Sequence, residues 1–129
     1  MKKKKIDEEN RIGENYPLDF STKPYWSQKT KIEILQRRVI VYSLQYYEMD
    51  FNVVSDKYFD DVSKQLVWYM KNTDEQVLRE TEYYYCLYDF DASTGFFIKD
   101  RLNKYDLKYL SHIASMVIKS YKGRNKRTT

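Results

Sequence analysis

Apolar side chains recur at helical spacing in three stretches of this chain. The first stripe is formed by Ile32, Leu35, Val39, Tyr42 and Tyr46. The second is formed by Phe59, Val62, Leu66 and Tyr69, and the third by Leu107, Leu110, Ala114, Val117 and Tyr121. Steps of three and four positions place side chains on one face of a helix, so the pattern predicts three amphipathic helices that bury these stripes against one another.

Polar residues with capping potential predict where the helices begin and end. Residues 30–33 (Thr-Lys-Ile-Glu) and 73–76 (Thr-Asp-Glu-Gln) fit capping boxes, and the second box opens a fourth helix. Ser55 is the expected N-cap of the helix that carries the second stripe. Residues 50–52 predict the loop before it, and Gly123 predicts the end of the last helix.

The segment from residue 83 to residue 99 allows two interpretations. Residues 83–90 are rich in tyrosine and have the composition of a strand as well as of a helix, and residues 91–95 have the composition of a turn. A short β-hairpin near 83–99 is therefore the alternative to helix. Because the remaining stripes must be buried together, we predict a mostly α fold, a compact bundle of about four helices.

Charge and composition divide the chain into three parts. Of the 23 basic and 19 acidic residues, residues 6–118 hold 14 basic and all 19 acidic ones, so an acidic body lies between two basic ends. We predict a flexible N-terminal arm over residues 1–25, a helical domain over 26–122 and a basic tail over 123–129. Aromatic residues that are candidates for pinning the second half of the arm are Tyr16, Phe20, Tyr25 and Trp26.

The only cysteine and the only histidine are both expected to be structural. Cys86 cannot form an intramolecular disulfide, which is typical of the reducing cytoplasm, and we expect a small buried side chain. His112 lies off the stripe of the last helix and is expected at the surface. No stretch approaches 18 consecutive apolar residues, and acidic residues follow the lysines at 2–5, so we predict neither a membrane span nor a signal peptide.

Residues 37–69 carry a polar pattern in addition to the apolar one. A helix is followed by a loop with an aspartate, and then by a Ser-Asp helix start with a further aspartate four positions on. This segment resembles the N-terminal helical subdomain of NAD-dependent DNA ligases. Positions that match in place are Tyr46, Asp50, Val54, Ser55, Asp56, Asp60 and Leu66. Positions that depart are Tyr47 for His, Asn52 for the loop Pro, Phe59 for Tyr and Gln65 for Glu.

The resemblance implies a ligand pocket. In the ligases this subdomain recognises the nicotinamide mononucleotide (NMN) half of NAD, so NMN or NAD is the implied ligand, with Tyr46, Tyr47, Asp56, Phe59 and Asp60 as the pocket wall. The two aspartates are one helical turn apart and would share a face. The rings of Tyr46 and Phe59 could sandwich a flat pyridinium cation.

Enzyme activity is not expected. The ligases attach AMP to the lysine of a Lys-x-Asp-Gly motif, and residues 104–107 match only its first three positions. Neither a GxxxxGK[ST] phosphate loop nor paired metal-ligand spacing occurs in the sequence. The chain resembles small ligase-related proteins of bacteriophages and prophages, which implies a non-catalytic binding protein in the cytoplasm of a bacterial host cell.

The sequence is also compatible with two other functions, protein–protein contact and nucleic-acid binding. The 14 tyrosines and two tryptophans suit protein–protein contact, for example with host replication or defence machinery, and residues 83–88 and Tyr105 are candidate anchors. The same tyrosines could instead fill a small core. The basic ends, 1–5 and 123–129, could hold nucleic-acid phosphates weakly, although solvated tails are the simpler interpretation.

Overall fold

Helices account for most of the structure, as the sequence predicts. The computed structural model describes residues 11–93 and 98–127. Its elements are α1 (Gln28–Ser43), a π-helical segment (Leu44–Glu48), α2 (Asp56–Lys71), α3 (Glu75–Arg79), α4 (Tyr84–Leu87), α5 (Ile98–Arg101) and α6 (Lys104–Arg127). The prediction of a compact, mostly α fold is therefore confirmed. Within the described ranges, no helix has both the length and the apolar character needed to cross a membrane.

The three long helices supply the centre of the core. α1 packs against both α2 and α6. Side chains of these helices that are fully buried include Ile32, Leu35, Val39, Ile40, Val62, Leu66, Tyr69, Leu110 and Ala114. Most of them belong to the predicted stripes. α1 is also buried beyond its stripe, at Gln36 and Val41, and Gln36 contacts Thr81 and Tyr83 outside the two long helices.

Serine side chains cap the first two helices. Ser55 is the N-cap of α2, as predicted, and its hydroxyl accepts a hydrogen bond from the backbone N–H of Tyr58 at 3.1 Å. α1 begins earlier than the predicted box at residues 30–33, because the hydroxyl of Ser27 accepts from the N–H of Thr30 at 3.2 Å. Thr30 is therefore the third residue of the helix. Caps of this kind contribute about 1 kcal/mol each.

The helix predicted to start at residue 73 is short. α3 ends at Arg79, and α4 follows after a turn. The buried side-chain amide of Gln36 bonds to the turn between α3 and α4. Its nitrogen donates to the hydroxyl of Thr81 at 2.9 Å, and its oxygen accepts from the N–H of Tyr83 at 3.3 Å. Polar groups of the turn are thereby satisfied inside the core.

The alternative of a β-hairpin near 83–99 is wrong for the residues that the structure describes there, 83–93 and 98–99. α4 forms one helical turn instead. Side chains buried in this region are Tyr83, Cys86, Leu87 and Phe90. These positions follow one another at steps of three, one and three, which is the spacing of a helical face, whereas a strand would bury every second residue.

Gly123 does not end the last helix. α6 continues through it to Arg127, so the predicted basic tail over 123–129 is helical as far as that residue. A Cβ added at Gly123 would meet nothing within 4 Å, and glycine inside an exposed helix costs only about 1 kcal/mol relative to alanine. The backbone does not leave the helix at Gly123, so the prediction that this glycine ends the last helix is wrong.

Residues 11–25 are held more firmly than a flexible arm would be. The buried amide of Gln65 in α2 accepts from the N–H of Leu18 at 2.9 Å and donates to the carbonyls of Gly13 at 3.0 Å and Leu18 at 2.8 Å. The hydroxyl of Tyr69 donates to the carbonyl of Glu14 at 2.7 Å. The predicted arm over 1–25 therefore lies on α2 in its described part, while residues 1–10 are outside the described ranges.

Aromatic and charged side chains add to this contact. Phe20 is buried, 6.0 Å from the ring of Tyr69 and 6.1 Å from that of Trp26. The guanidinium of Arg11 pairs with the buried carboxylate of Asp61 at 3.2 Å. Of the predicted aromatic pins, Tyr25 is an exception, because its side chain is 78% exposed.

Candidate functional site

A pocket of about 280 Å³ opens between the π-helical segment, the first turns of α2 and the chain that follows α4. It is lined by all five side chains that the sequence resemblance selected, namely Tyr46, Tyr47, Asp56, Phe59 and Asp60. Further lining residues are Ser43, Ser63, Phe90, Ala92 and Ser93. The structure thus brings every predicted site residue to one concave surface.

The π-helical segment places the two tyrosines at the pocket. Its wider turn is closed by the N–H of Met49, which donates to the carbonyl of Leu44, five residues earlier, at 3.1 Å. The wider turn breaks the spacing of the α1 stripe, which otherwise predicts a buried Tyr46. Tyr46 is instead 39% exposed and Tyr47 46% exposed, with their ring centroids 4.8 Å apart.

A reversal at Asp50 returns the chain to the pocket. Asp50 has a φ of 50°, and the N–H of Phe51 closes the helix end by donating to the carbonyl of Gln45 at 3.0 Å. A residue with positive φ after the last turn is usual at a left-handed helix C-terminus, but this bond is one residue longer than that of the Schellman motif, because it closes a π-helical turn. The start of α2 then lies beside the π-helical segment, with the Phe59 ring 6.3 Å from that of Tyr46.

The two carboxylates of the pocket differ in their partners. Asp60 pairs with Lys64, one turn further along α2, at 2.9 Å, and this hydrogen bond raises the pKa of the lysine. Asp56 is exposed in the first turn of α2, and none of the described side chains forms an ion pair with it. The rim of the pocket therefore carries a negative charge that is not neutralised locally.

The aromatic rings do not form the sandwich that the sequence predicts. A flat ring between two others needs parallel walls about 7 Å apart, twice the usual contact distance. The rings of Tyr46 and Phe59 are 6.3 Å apart, but their planes are inclined by 51°, so they contact each other directly. The two rings together form one side of the pocket. A flat group that enters from the solvent-exposed side can contact them there.

Five of the lining residues were not predicted from the sequence. Ser63 follows Phe59 by four positions, and Ser43 precedes Tyr46 by three, so helical spacing could have found both. Phe90, Ala92 and Ser93 come from a segment some 30 positions further along the chain. No local pattern relates that segment to α2.

The segment after α4 bends sharply where it reaches the pocket. Ala92 has a φ of 67°, and the adjoining turn is held by Asp91, whose carboxylate accepts from the N–H of Ser93 at 2.9 Å. The left-handed conformation costs an L-residue with a Cβ roughly 1–2 kcal/mol. Alanine has no polar group to offset that cost, so the pocket wall contains a strained residue.

We expect Ala92→Gly to raise the free energy of unfolding by about 0.5–1 kcal/mol, because glycine adopts this conformation without strain. Urea unfolding followed by circular dichroism measures the change. Ala114→Gly is the matched control and should lower stability, because Ala114 is buried inside α6. A loss of stability in Ala92→Gly would contradict the positive φ.

The remaining reactive side chains lie away from the pocket. Cys86 is buried, which raises the pKa of its thiol to about 12, and its sulfur donates to the carbonyl of Tyr83 at 3.4 Å. The expectation of a buried cysteine is confirmed, and His112 is exposed on α6. No group of three or more His, Cys, Asp or Glu side chains in the described ranges is arranged to hold a metal ion.

The tyrosines that were candidate anchors are divided between core and surface. Tyr83 is buried and Tyr84 is partly buried, whereas Tyr85 and Tyr88 are exposed, and Tyr105 is the most exposed of the five. None of the protein-family models, curated proteins or solved structures compared with the chain matches it. The pocket and the exposed surfaces are therefore the basis for assigning a function.

Proposed function

We propose that this protein is a non-catalytic binding protein that holds the nicotinamide half of a pyridine nucleotide, on a scaffold like the N-terminal subdomain of NAD-dependent DNA ligases. One observation carries the proposal. The five side chains that the resemblance selects, between residues 46 and 60, all line one open pocket. If these rings only filled the core, Tyr46 and Tyr47 would be sealed from solvent, and they are not.

The chemistry of the pocket suits a flat cation. An oxidised nicotinamide ring carries a positive charge, and the faces of Tyr46 and Phe59 attract cations through their ring quadrupoles. The unpaired carboxylate of Asp56 adds a favourable charge, and it can accept hydrogen bonds from ribose hydroxyls or a carboxamide. A reduced nicotinamide ring is neutral and would lose the charge-dependent part of this attraction.

The size and charge of the pocket limit what enters it. Its volume of about 280 Å³ is at the lower end for small-molecule sites, which run from roughly 300 to 1,000 Å³. Nicotinamide with its ribose would fill it, and the adenylate of NAD would remain outside. None of the described lining residues is basic, so a phosphate gains no charge partner there. Nicotinamide riboside should therefore bind at least as tightly as NMN.

Isothermal titration with nicotinamide riboside, NMN, NAD⁺ and NADH tests the proposal. We expect the oxidised ligands to bind and NADH to bind at least tenfold more weakly, a difference of about 1.4 kcal/mol. Asp56→Asn and Phe59→Leu should each weaken binding about tenfold, because they remove the charge and the aromatic face. The ligand should be recovered chemically unchanged after incubation.

Asp74→Asn is the matched control, because Asp74 is also an exposed aspartate at a helix start but lies outside the pocket. It should leave the affinity unchanged. No heat from the folded protein at millimolar ligand would exclude the proposal. Binding that both pocket variants retain in full would assign the ligand to another surface.

A further inference from the structure

The outward face of α6 presents two parallel tyrosines to solvent. Tyr105 is 73% exposed and Tyr109 is 44% exposed. Their ring centroids are 6.3 Å apart and their planes are within 2° of parallel. His112 and Met116 continue the same exposed face over the next two turns. No residue of α6 lines the pocket, so this surface is separate from the site described above.

Positive charge accompanies these rings, although the body of the chain is acidic. From residue 104 to residue 124, α6 contains one acidic residue, Asp106, and five basic residues, Lys104, Lys108, Lys119, Lys122 and Arg124. Helical periodicity places Lys108 and Lys119 next to the tyrosine face. Among the described side chains, none forms an ion pair with these five.

The one acidic residue of the helix is engaged in two hydrogen bonds with other residues. The carboxylate of Asp106 accepts a hydrogen bond from the hydroxyl of Tyr85 at 2.5 Å and one from the side-chain amide of Asn103 at 3.1 Å. Tyr85 belongs to α4, and Asn103 is the residue immediately before α6. Basic residues nevertheless outnumber this one carboxylate along the helix, so the net charge beside Tyr105 and Tyr109 is positive.

We propose that this face of α6 binds single-stranded nucleic acid, with bases stacked on Tyr105 and Tyr109 and phosphates held by Lys104, Lys108 and Lys119. Exposed aromatic rings among lysines are the arrangement by which proteins hold unpaired strands without reading their sequence. Successive bases of a strand stack parallel to each other, as these two rings do. A duplex keeps its base faces covered, so it offers the rings nothing to stack on.

A second copy of this chain and an acidic polypeptide are the alternative partners for this face, and both fit it less well. Two copies paired through α6 would bring two strongly basic helices together, which like-charge repulsion disfavours. An acidic polypeptide would satisfy the lysines but has no row of parallel flat groups for the rings. An unpaired polynucleotide satisfies both features at once.

Fluorescence anisotropy with a labelled oligothymidylate of about 20 nucleotides, titrated with the full chain at about 50 mM salt, measures this binding. We expect Tyr105→Ala with Tyr109→Ala to weaken binding at least tenfold. Tyr25→Ala is the control, because Tyr25 is at least as exposed as Tyr105 and Tyr109 but lies outside α6. Circular dichroism checks that the variants retain their helices.

The salt dependence separates the lysines of α6 from the basic ends of the chain. Lys104→Gln with Lys108→Gln should reduce the slope of log affinity against log salt by about 1.4, since each phosphate contact on a single strand contributes about 0.7. Lys29→Gln with Lys71→Gln removes two exposed lysines elsewhere and should leave the slope unchanged.

Four results would overturn the proposal. The first is an absence of binding by the folded protein, and the second is equal binding by the double tyrosine variant, which would leave only non-specific attraction to the basic ends. The third is equal competition by a competitor without exposed bases. Equal competition by a duplex would mean that charge alone determines binding, and equal competition by polyglutamate would favour an acidic protein partner. The fourth is a dimer in sedimentation that the tyrosine substitutions dissociate.

Discussion

Gln65→Ala is expected to lower the free energy of unfolding by about 3 kcal/mol, although the substitution removes a polar side chain. The side chain of Gln65 is fully buried, and its amide bonds to the backbone at Gly13 and Leu18. Alanine would leave one N–H and at least two carbonyls without partners in a partly buried site. Each unsatisfied group costs about 1 kcal/mol or more, and the vacated volume adds to the loss.

Urea unfolding monitored by tryptophan fluorescence measures this effect, since Trp26 and Trp68 both lie near the contact between residues 11–25 and α2. Gln76→Ala is the control, because Gln76 is exposed on α3, and it should change stability by less than about 0.5 kcal/mol. Gln65→Glu keeps the shape but replaces the donor with a carboxylate oxygen that faces the carbonyls of Gly13, Glu14 and Leu18. Its stability should fall as the pH rises and that group ionises.

A loss below about 1 kcal/mol in Gln65→Ala would mean that residues 11–20 are not anchored through this amide. Limited proteolysis gives an independent measurement. Cleavage within residues 11–20 should be faster in Gln65→Ala than in the unaltered protein, since the segment would open locally more often. Equal cleavage rates would contradict the anchoring role even if global stability fell.

The sequence could not reveal this role of Gln65, and the reason is physical. Its partners are backbone groups 47 and 52 positions away, and every chain carries such groups at every residue. A pattern of residue types contains no signal for contacts of that kind. The stripes of α1, α2 and α6 were predictable because helical periodicity relates spacing to burial directly.

Composition left two structures open where it competed with spacing. The tyrosine-rich run after residue 83 has the residue types of a strand, so a hairpin remained an alternative to helix. Its buried positions nevertheless repeat at helical intervals, and α4 follows that spacing. Burial depends on where side chains point, so spacing is the better guide when the two signals disagree.

The candidate pocket was predictable in only one of its two walls. The five predicted residues on the π-helical segment and α2 lie within 15 consecutive positions, 46–60, and a motif can describe them. The opposite wall, at Phe90, Ala92 and Ser93, reaches the pocket only through the tertiary fold. The wider helical turn that exposes Tyr46 also has no sequence signature of its own, so the periodic stripe predicted that ring as core.

The second large effect is expected at alkaline pH, where the protein should unfold between about pH 10 and pH 12. Burial raises the pKa of the Tyr69 and Tyr83 phenols to about 12, and that of the Cys86 thiol to about 12. In the unfolded chain these protons leave near the ordinary values of 10 for tyrosine and 9 for cysteine. Over this interval the folded state binds more protons than the unfolded state, so stability falls as the pH rises.

Tyr83→Phe tests this mechanism because it removes one of the three buried acids and keeps the ring. The transition, followed by far-ultraviolet circular dichroism, should move to higher pH and become less steep, since its slope reports the number of protons released on unfolding. Tyr25→Phe, at an exposed tyrosine, should leave the transition where it is. An unchanged transition in Tyr83→Phe would show that ionisation of Tyr83 does not contribute to unfolding at alkaline pH. A shift would mean that the core tyrosines stabilise the fold only while they are neutral.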